Sequence, residues 1–133
     1  MKSEILSLLI VLGLGAIPAH ASTIDSVLEE YRSQGAVSFD AERGKRMWFE
    51  KYTQKDSGKE VDCTTCHGLD LRKGGRHAKT GKPIEPLAPS VNAERFTDAA
   101  KIEKWFKRNC KWTWGRECSP QEKGDLLTFL RAQ

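Results

Sequence analysis

The sequence predicts a small all-α domain with helices at both ends and a loop-rich middle. Wherever the apolar spacing is clear it is helical, and no stretch alternates at period two. Residues from Thr53 to Asn92 are rich in Gly, Lys, Pro and polar side chains, the composition of a loop rather than of a long regular element. Helix-start signals stand on either side of that stretch, at Asp40 and at Ser119.

The first twenty-one residues are expected to be an export signal, because Lys2 and the amino terminus precede an apolar run, Ile5 to Ile17, that closes at Ala19-His20-Ala21 before Ser22. A run of thirteen residues falls short of the about 20 that a membrane-spanning helix needs. The mature domain is therefore expected at residues 22–133, delivered to the periplasm and not membrane-spanning after cleavage. Removing 21 of 133 residues leaves 112, enough for one domain whose apolar core would be thin without a bound group. Lys2 and Glu4 cancel, so the mature chain keeps the formal charge of +4. That balance suits docking on an acidic protein face and falls short of a nucleic-acid-binding surface.

Ile24, Val27, Leu28 and Tyr31 form a first short amphipathic helix, with Ser22 or Thr23 as N-cap. Asp40 caps a second helix of about a dozen residues, in which Gly44, Met47 and Trp48 share a face and Phe39 sits where a hydrophobic staple would. A small residue one turn from aromatics allows another helix to approach closely. Thr97 or Asp98 starts a third helix, to about Cys110. Ser119, Pro120 and Glu122 open the last with a capping box ahead of Leu126, Leu127 and Leu130.

Within the loop, Cys63-Thr64-Thr65-Cys66-His67 is the c-type haem attachment pattern. Two thiols at this spacing add across two haem vinyl groups, and the adjacent imidazole becomes the proximal iron ligand. A thioredoxin-like redox pair would need a neighbouring βαβ pattern, which is absent. A zinc site using Cys63, Cys66, Cys110 and Cys118 would separate its second pair by seven residues and leave His67 without a role. The expected cofactor is one covalent haem c, on Cys63 and Cys66 with His67 below the iron. Cys110 and Cys118 remain, and in an oxidising compartment their pairing as a disulfide is the economical outcome.

The sixth iron ligand is less direct. No methionine follows Met47, and Met47 belongs to the helix expected to pack on the C-terminal helix, where it fills core. His77, Asn109, a lysine or water remain. His77 stands in the basic loop Arg72-Lys73-Gly74-Gly75-Arg76-His77, where a solvated histidine is the ordinary outcome. Ile102, Trp105, Phe106 and Asn109 fall at i, i+3, i+4 and i+7, so Asn109 shares the apolar face of its helix, where its amide needs a partner. That partner is either iron or backbone.

The chain from Pro86 to Leu130, notably Leu87-Ala88-Pro89-Ser90, Arg95-Phe96-Thr97-Asp98, Lys104-Trp105-Phe106, Arg108-Asn109-Cys110, Gly115-Arg116-Glu117-Cys118 and Glu122-Lys123-Gly124-Asp125, resembles the monohaem cytochromes of the sphaeroides haem protein type. With Cys63 to His67 the resemblance covers most of the mature chain. It implies a class I cytochrome c-like fold, with N- and C-terminal helices packed together. It implies that Asn109 is the distal ligand of ferric haem iron and leaves on reduction, so that the ferrous haem can bind oxygen or another small diatomic. It also implies a Cys110–Cys118 disulfide, a dihaem cytochrome c as redox partner and a membrane b-type cytochrome upstream.

A hard, weak amide oxygen favours ferric over ferrous iron, which agrees with that implication. Two functions follow: electron transport coupled to binding of a small diatomic, or a terminal oxidoreductase acting on oxygen, nitric oxide or a related molecule at the open haem. The only mature histidines are His67 and His77, so no general acid or base is evident, which favours a carrier and ligand binder over a dedicated enzyme. Arg72, Lys73, Arg76, Lys79 and Lys82 are placed to steer an acidic partner or to be a solvated loop. Trp112 and Trp114 are expected to pack the disulfide loop rather than wall a distal pocket.

Overall fold

The computed structural model describes residues 21–133, so the export signal expected at 1–21 lies almost wholly outside the described residues. Helix α1, Thr23–Ser33, begins where the Ser22 hydroxyl accepts the Asp25 N–H at 3.2 Å. Its apolar stripe buries Val27, Leu28 and Tyr31 against Ile102 and Leu127, residues of the third and last long helices. The Tyr31 hydroxyl donates to Glu103, which also accepts from Lys123 Nζ at 2.8 Å, so one carboxylate ties three helices.

Helix α2, Ala41–Trp48, is capped by the Asp40 carboxylate, which accepts the Glu42 and Arg43 N–H groups. It is eight residues long rather than the expected dozen. The chain leaves it because Tyr52–Thr53 (β1) pairs antiparallel with Glu60–Val61 (β2), residue types that favour a ribbon over a helix. Gly58, at φ 65°, supplies the left-handed residue of the intervening turn. A second ribbon pairs Gly75–Arg76 (β3) with Pro83–Ile84 (β4). Both ribbons lie inside the expected loop, and two paired residues per strand are too few to leave a period-two signal. Between them, Thr64–His67 forms a single helical turn, α3.

Helix α4, Ala99–Trp114, starts at Asp98 as expected but runs four residues beyond Cys110. Gly115 stops it in the left-handed conformation, φ 69°, with its N–H on the Lys111 carbonyl. Trp112 and Trp114 are thus helical, with Trp114 buried in the core and Trp112 half-buried. Helix α5, Pro120–Arg131, opens with the capping box complete: the Ser119 hydroxyl accepts the Glu122 N–H and the Glu122 carboxylate accepts the Ser119 N–H.

Near-terminal helices α2 and α5 pack directly. A Cβ on Gly44 would stand 2.6 Å from the Asp125 carbonyl carbon and 3.0 Å from the Leu126 nitrogen, so the two backbones touch with no side chain between them. Phe39 does not staple its own helix, since its N4 position is Gly44. It lies across Gly124 of α5, where a Cβ would meet its ring at 2.8 Å. Asp125, 2 % exposed, accepts from the Asp40 N–H at 2.7 Å and from Arg43 Nε and Nη2 at 2.8 and 2.9 Å. The resulting α2–α5 seam carries Trp48, Leu126, Phe129 and Leu130 into one core cluster with Leu71, Ala88, Cys110 and Trp114. Met47 packs at the edge of that cluster, as core filler.

Arg116 grips the Glu122 carboxylate with Nη1 and Nη2 at 2.8 and 2.7 Å, and with the Ser119 N–H holds it below the usual carboxylate range. A depressed folded-state value means that the stabilisation is complete above the ordinary Glu range and is lost as pH falls through the depressed one. Glu122→Gln is therefore expected to lower the melting temperature most at neutral pH, with the difference from the parent closing as pH falls through the depressed value. Thermal melts across the acid range check this.

Candidate functional site

The α3 turn gathers the attachment residues. Cys63 takes its N–H to the Trp48 carbonyl at 3.3 Å, so the start of the turn hangs from the end of α2. Asp62 organises the entry, accepting from the Thr65 N–H at 3.1 Å and from the Thr64 hydroxyl at 2.5 Å. The Cys63 and His67 backbones then close one α-helical hydrogen bond at 3.1 Å, and Gly68, φ 72°, ends the turn. This single turn brings Cys63, Cys66 and His67 together. Both thiols are unpaired.

Burial pushes the Cys63 thiol up to about 12, so it is a neutral thiol. Cys66 Sγ accepts the Ala78 N–H at 3.4 Å. Burial, helped by the positive charge of Arg95, lowers His67 to about 4, which leaves a neutral imidazole with a lone pair free for a metal. Trp48 stands 5.4 Å from the His67 ring and 6.1 Å from Phe129, an aromatic wall beside the imidazole.

The backbone of β3 runs directly against α3. A Cβ on Gly75 would come within 2.9 Å of the His67 Cα and closer still to the Cys66 carbonyl, so only glycine fits. Gly75→Ala is expected to push α3 off its seat at a cost of about 1–3 kcal/mol and to lower the haem content of exported protein, read from the ratio of Soret to protein absorbance. Beyond β4, the Leu87 and Ala88 N–H groups both bond to the Leu71 carbonyl, at 3.0 and 2.9 Å, which closes the loop under the site.

His77 is tied to its own hairpin: Nδ1 accepts the Lys79 and Thr80 N–H groups, each at 3.2 Å. Arg72, Lys73, Arg76, Lys79 and Lys82 are exposed on and around that hairpin. Asn109 lies on α4 one residue before Cys110 and is exposed beside Trp105, itself 49 % exposed, whereas Ile102 on the same face is buried and Phe106 half-buried. The shared face is therefore split, and Asn109 stands on its open edge. Its amide makes no side-chain hydrogen bond among the described residues. Cys110 and Cys118 place their sulfurs at bonding distance, with Cα atoms 5.7 Å apart.

These residues fit a c-type haem. Two unpaired thiols and a neutral, half-buried imidazole share one turn, which lies against a strand position, Gly75, that only glycine can occupy. Trp114 contributes a buried indole N–H that has no acceptor among the described residues, the kind of donor a carboxylate-bearing group would satisfy. Cys63, Trp114 and Phe106 belong to or border the same core cluster.

Comparison with known proteins agrees. A family described as a domain of unknown function (DUF1924) matches residues 34–130. The cytochrome c-type protein SHP of Cereibacter sphaeroides is 47 % identical over 105 residues, covering 77 % of this chain and 78 % of that one. The chain belongs to the SHP family of c-type cytochromes. This SHP-family cytochrome is also 40 % identical over 85 residues to cytochrome c'' of Methylophilus methylotrophus, covering 64 % of this chain and 59 % of that protein. The solved structure of oxidized SHP, described as an oxygen binding cytochrome c, superposes with a TM-score of 0.74 at 40 % identity, covering 86 % of this chain and all of that one. Oxidized cytochrome c'' superposes with a TM-score of 0.70 at 34 % identity, covering 84 % of this chain and 94 % of that one. The helical cytochrome c fold and one covalently bound haem c follow for the SHP-family chain. Among the described residues, no helix is long and apolar enough to cross a membrane.

Neither Gly75 nor Arg95 was singled out by sequence reasoning. A glycine pair in a basic loop looks like any turn, and an arginine outside regular structure carries no periodicity.

Proposed function

We propose that this cytochrome is a periplasmic electron carrier whose distal ligand, Asn109, holds ferric iron and yields on reduction to a small diatomic such as oxygen. Cys63 and Cys66 form the thioethers and His67 is the proximal ligand. The haem supplies a one-electron couple and, with Asn109 withdrawn, a coordination position. Cys63 and Cys66 would fix the cofactor irreversibly; His67, neutral and walled by Trp48, keeps its lone pair available for the iron; Asn109 would supply the second, weaker donor.

The observation that carries this reading is the Asn109 amide, exposed and uncommitted on the open edge of α4. No backbone or side-chain group among the described residues claims that amide, so it is free to act as a donor. An amide oxygen is a neutral, weak donor that suits the harder ferric ion, so reduction loosens it. The oxygen binding described for SHP, which shares this fold, supports the same conclusion.

A disulfide between Cys110 and Cys118 pins α4 to α5 immediately after the ligand position. Replacing both by serine is expected to cost about 2–3 kcal/mol for a loop of this size, measured by denaturant unfolding. Export by the segment at 1–21 places the protein where a dihaem cytochrome c and a membrane b-type cytochrome are its redox partners. The exposed cations around the β3–β4 hairpin suit an acidic partner face, and association should weaken as salt rises.

Carbon monoxide tests the pocket. Added to dithionite-reduced protein, it is expected to shift the Soret band, whereas an unresponsive ferrous spectrum would mean a strong sixth ligand in both states and simple electron carriage.

A further inference from the structure

Arg95 is a cation without an anion. Its Nε donates to the Pro86 carbonyl at 2.8 Å and its Nη2 to the Glu85 carbonyl at 2.7 Å, so two backbone oxygens fix the plane of the guanidinium. Asn92 Nδ2 donates to the same Pro86 carbonyl at 3.1 Å and steadies that segment. Among the described residues Arg95 makes no ion pair, although the charge of Glu85 reaches it, and its Nη1 has no partner. The side chain is half-buried, and burial alone pulls it below its ordinary value.

Its place in the fold explains what it faces. Glu85 and Pro86 leave β4, which pairs with β3, and β3 is the strand seated against α3. Arg95 therefore stands on the far side of the β3–β4 ribbon from the attachment turn, tied to the chain where it leaves β4. A partly desolvated guanidinium held rigidly with no carboxylate is costly, and it persists where an anion arrives to offset the cost. Loop positions such as Arg72 and Lys79, open to water, incur no such cost.

We propose that Arg95 is the counter-ion of a haem propionate. Its two carbonyl contacts orient the remaining N–H groups of the fork, and a carboxylate takes them with charge-assisted hydrogen bonds that a lysine at the same place could not duplicate. Arg95 is thus a cofactor-binding residue as well as a clamp on the Glu85–Pro86 segment. Because a nearby cation disfavours the extra positive charge of ferric haem, it also raises the reduction potential.

The proposal rests on haem c alone and is independent of the distal ligand, so its failure would leave Asn109 untouched. The test uses the exported, haem-loaded protein as Arg95→Gln, Arg95→Lys and, as a control, Lys79→Gln. Each is measured by the resonance Raman propionate bending band and by the midpoint potential at fixed pH, with far-UV circular dichroism to verify folding. Arg95→Gln is expected to move the band and lower the potential; Arg95→Lys to move the band but recover most of the potential; Lys79→Gln to change neither. A folded, haem-loaded Arg95→Gln protein with the original band and potential would overturn the proposal, since a pure loop clamp moves neither. If Arg95→Gln fails to mature, an unmoved propionate band in Arg95→Lys overturns it equally.

Discussion

Ferric protein carrying Asn109→Val is expected to lose its sixth ligand and change from a six-coordinate to a five-coordinate or water-ligated, high-spin haem. Valine has no lone pair, so the substitution removes the donor outright. Its site is on the open edge of α4, away from the buried Ile102, which makes a folding defect a small part of the outcome. The amide favours the ferric state, so its loss should also raise the midpoint potential. On the proposed reading the ferrous spectrum should be unchanged, because Asn109 would already have left the iron there. Absorption and electron paramagnetic resonance spectra of both oxidation states read all three results.

The largest effect on stability is expected at the α2–α5 crossing. A side chain on Gly44 must enter the space held by the Asp125 carbonyl and the Leu126 nitrogen, which are backbone atoms that cannot rotate away. Gly44→Val would have to separate the two helices, and with them the buried Asp125 from Arg43 and the Trp48–Phe129 contact. Overpacking alone costs about 1–3 kcal/mol, and the lost seam adds to it, against a total of about 5–15 kcal/mol for a small domain. Gly44→Val is expected to abolish or severely reduce folded, haem-bearing protein. Gly35→Ala is the contrasting case: a Cβ there meets nothing within 4 Å, although φ of 98° makes it mildly strained. Guanidinium unfolding of the two proteins beside the parent separates close approach from glycine loss in general.

Much of this fold is visible in the linear order of residues because its helices announce themselves locally. Ser22, Asp40, Asp98 and Ser119 each accept backbone N–H groups of the turn that follows, which a cap signal foretells without any tertiary knowledge. Gly44 beside Trp48 likewise reads as a crossing point. What stayed hidden depends on contacts between distant segments. The Phe39 ring finds Gly124 rather than its own helix, α2 gives way to a ribbon only because Val61 and Glu60 lie alongside, and Asp125 becomes a buried hub only because Arg43 and the Asp40 N–H converge on it.

The candidate site divides in the same way. Cys63, Cys66 and His67 lie within one turn, so spacing alone carries their chemistry. Gly75 and Arg95 act across the loop, one by lacking a side chain and the other through backbone oxygens of Glu85 and Pro86, and neither leaves a mark in composition. Asn109 falls between the two: its position on the α4 face is periodic, but that the face is split into a buried and an open half emerges only from packing.

Redox-dependent coordination number is the most direct test, followed by magnetic circular dichroism through one reductive titration of the unmodified protein. The account predicts a six-coordinate ferric haem with an oxygen donor that becomes five-coordinate as the iron is reduced, with no change at His67. A haem that stays six-coordinate with the same two axial ligands in both states would contradict it.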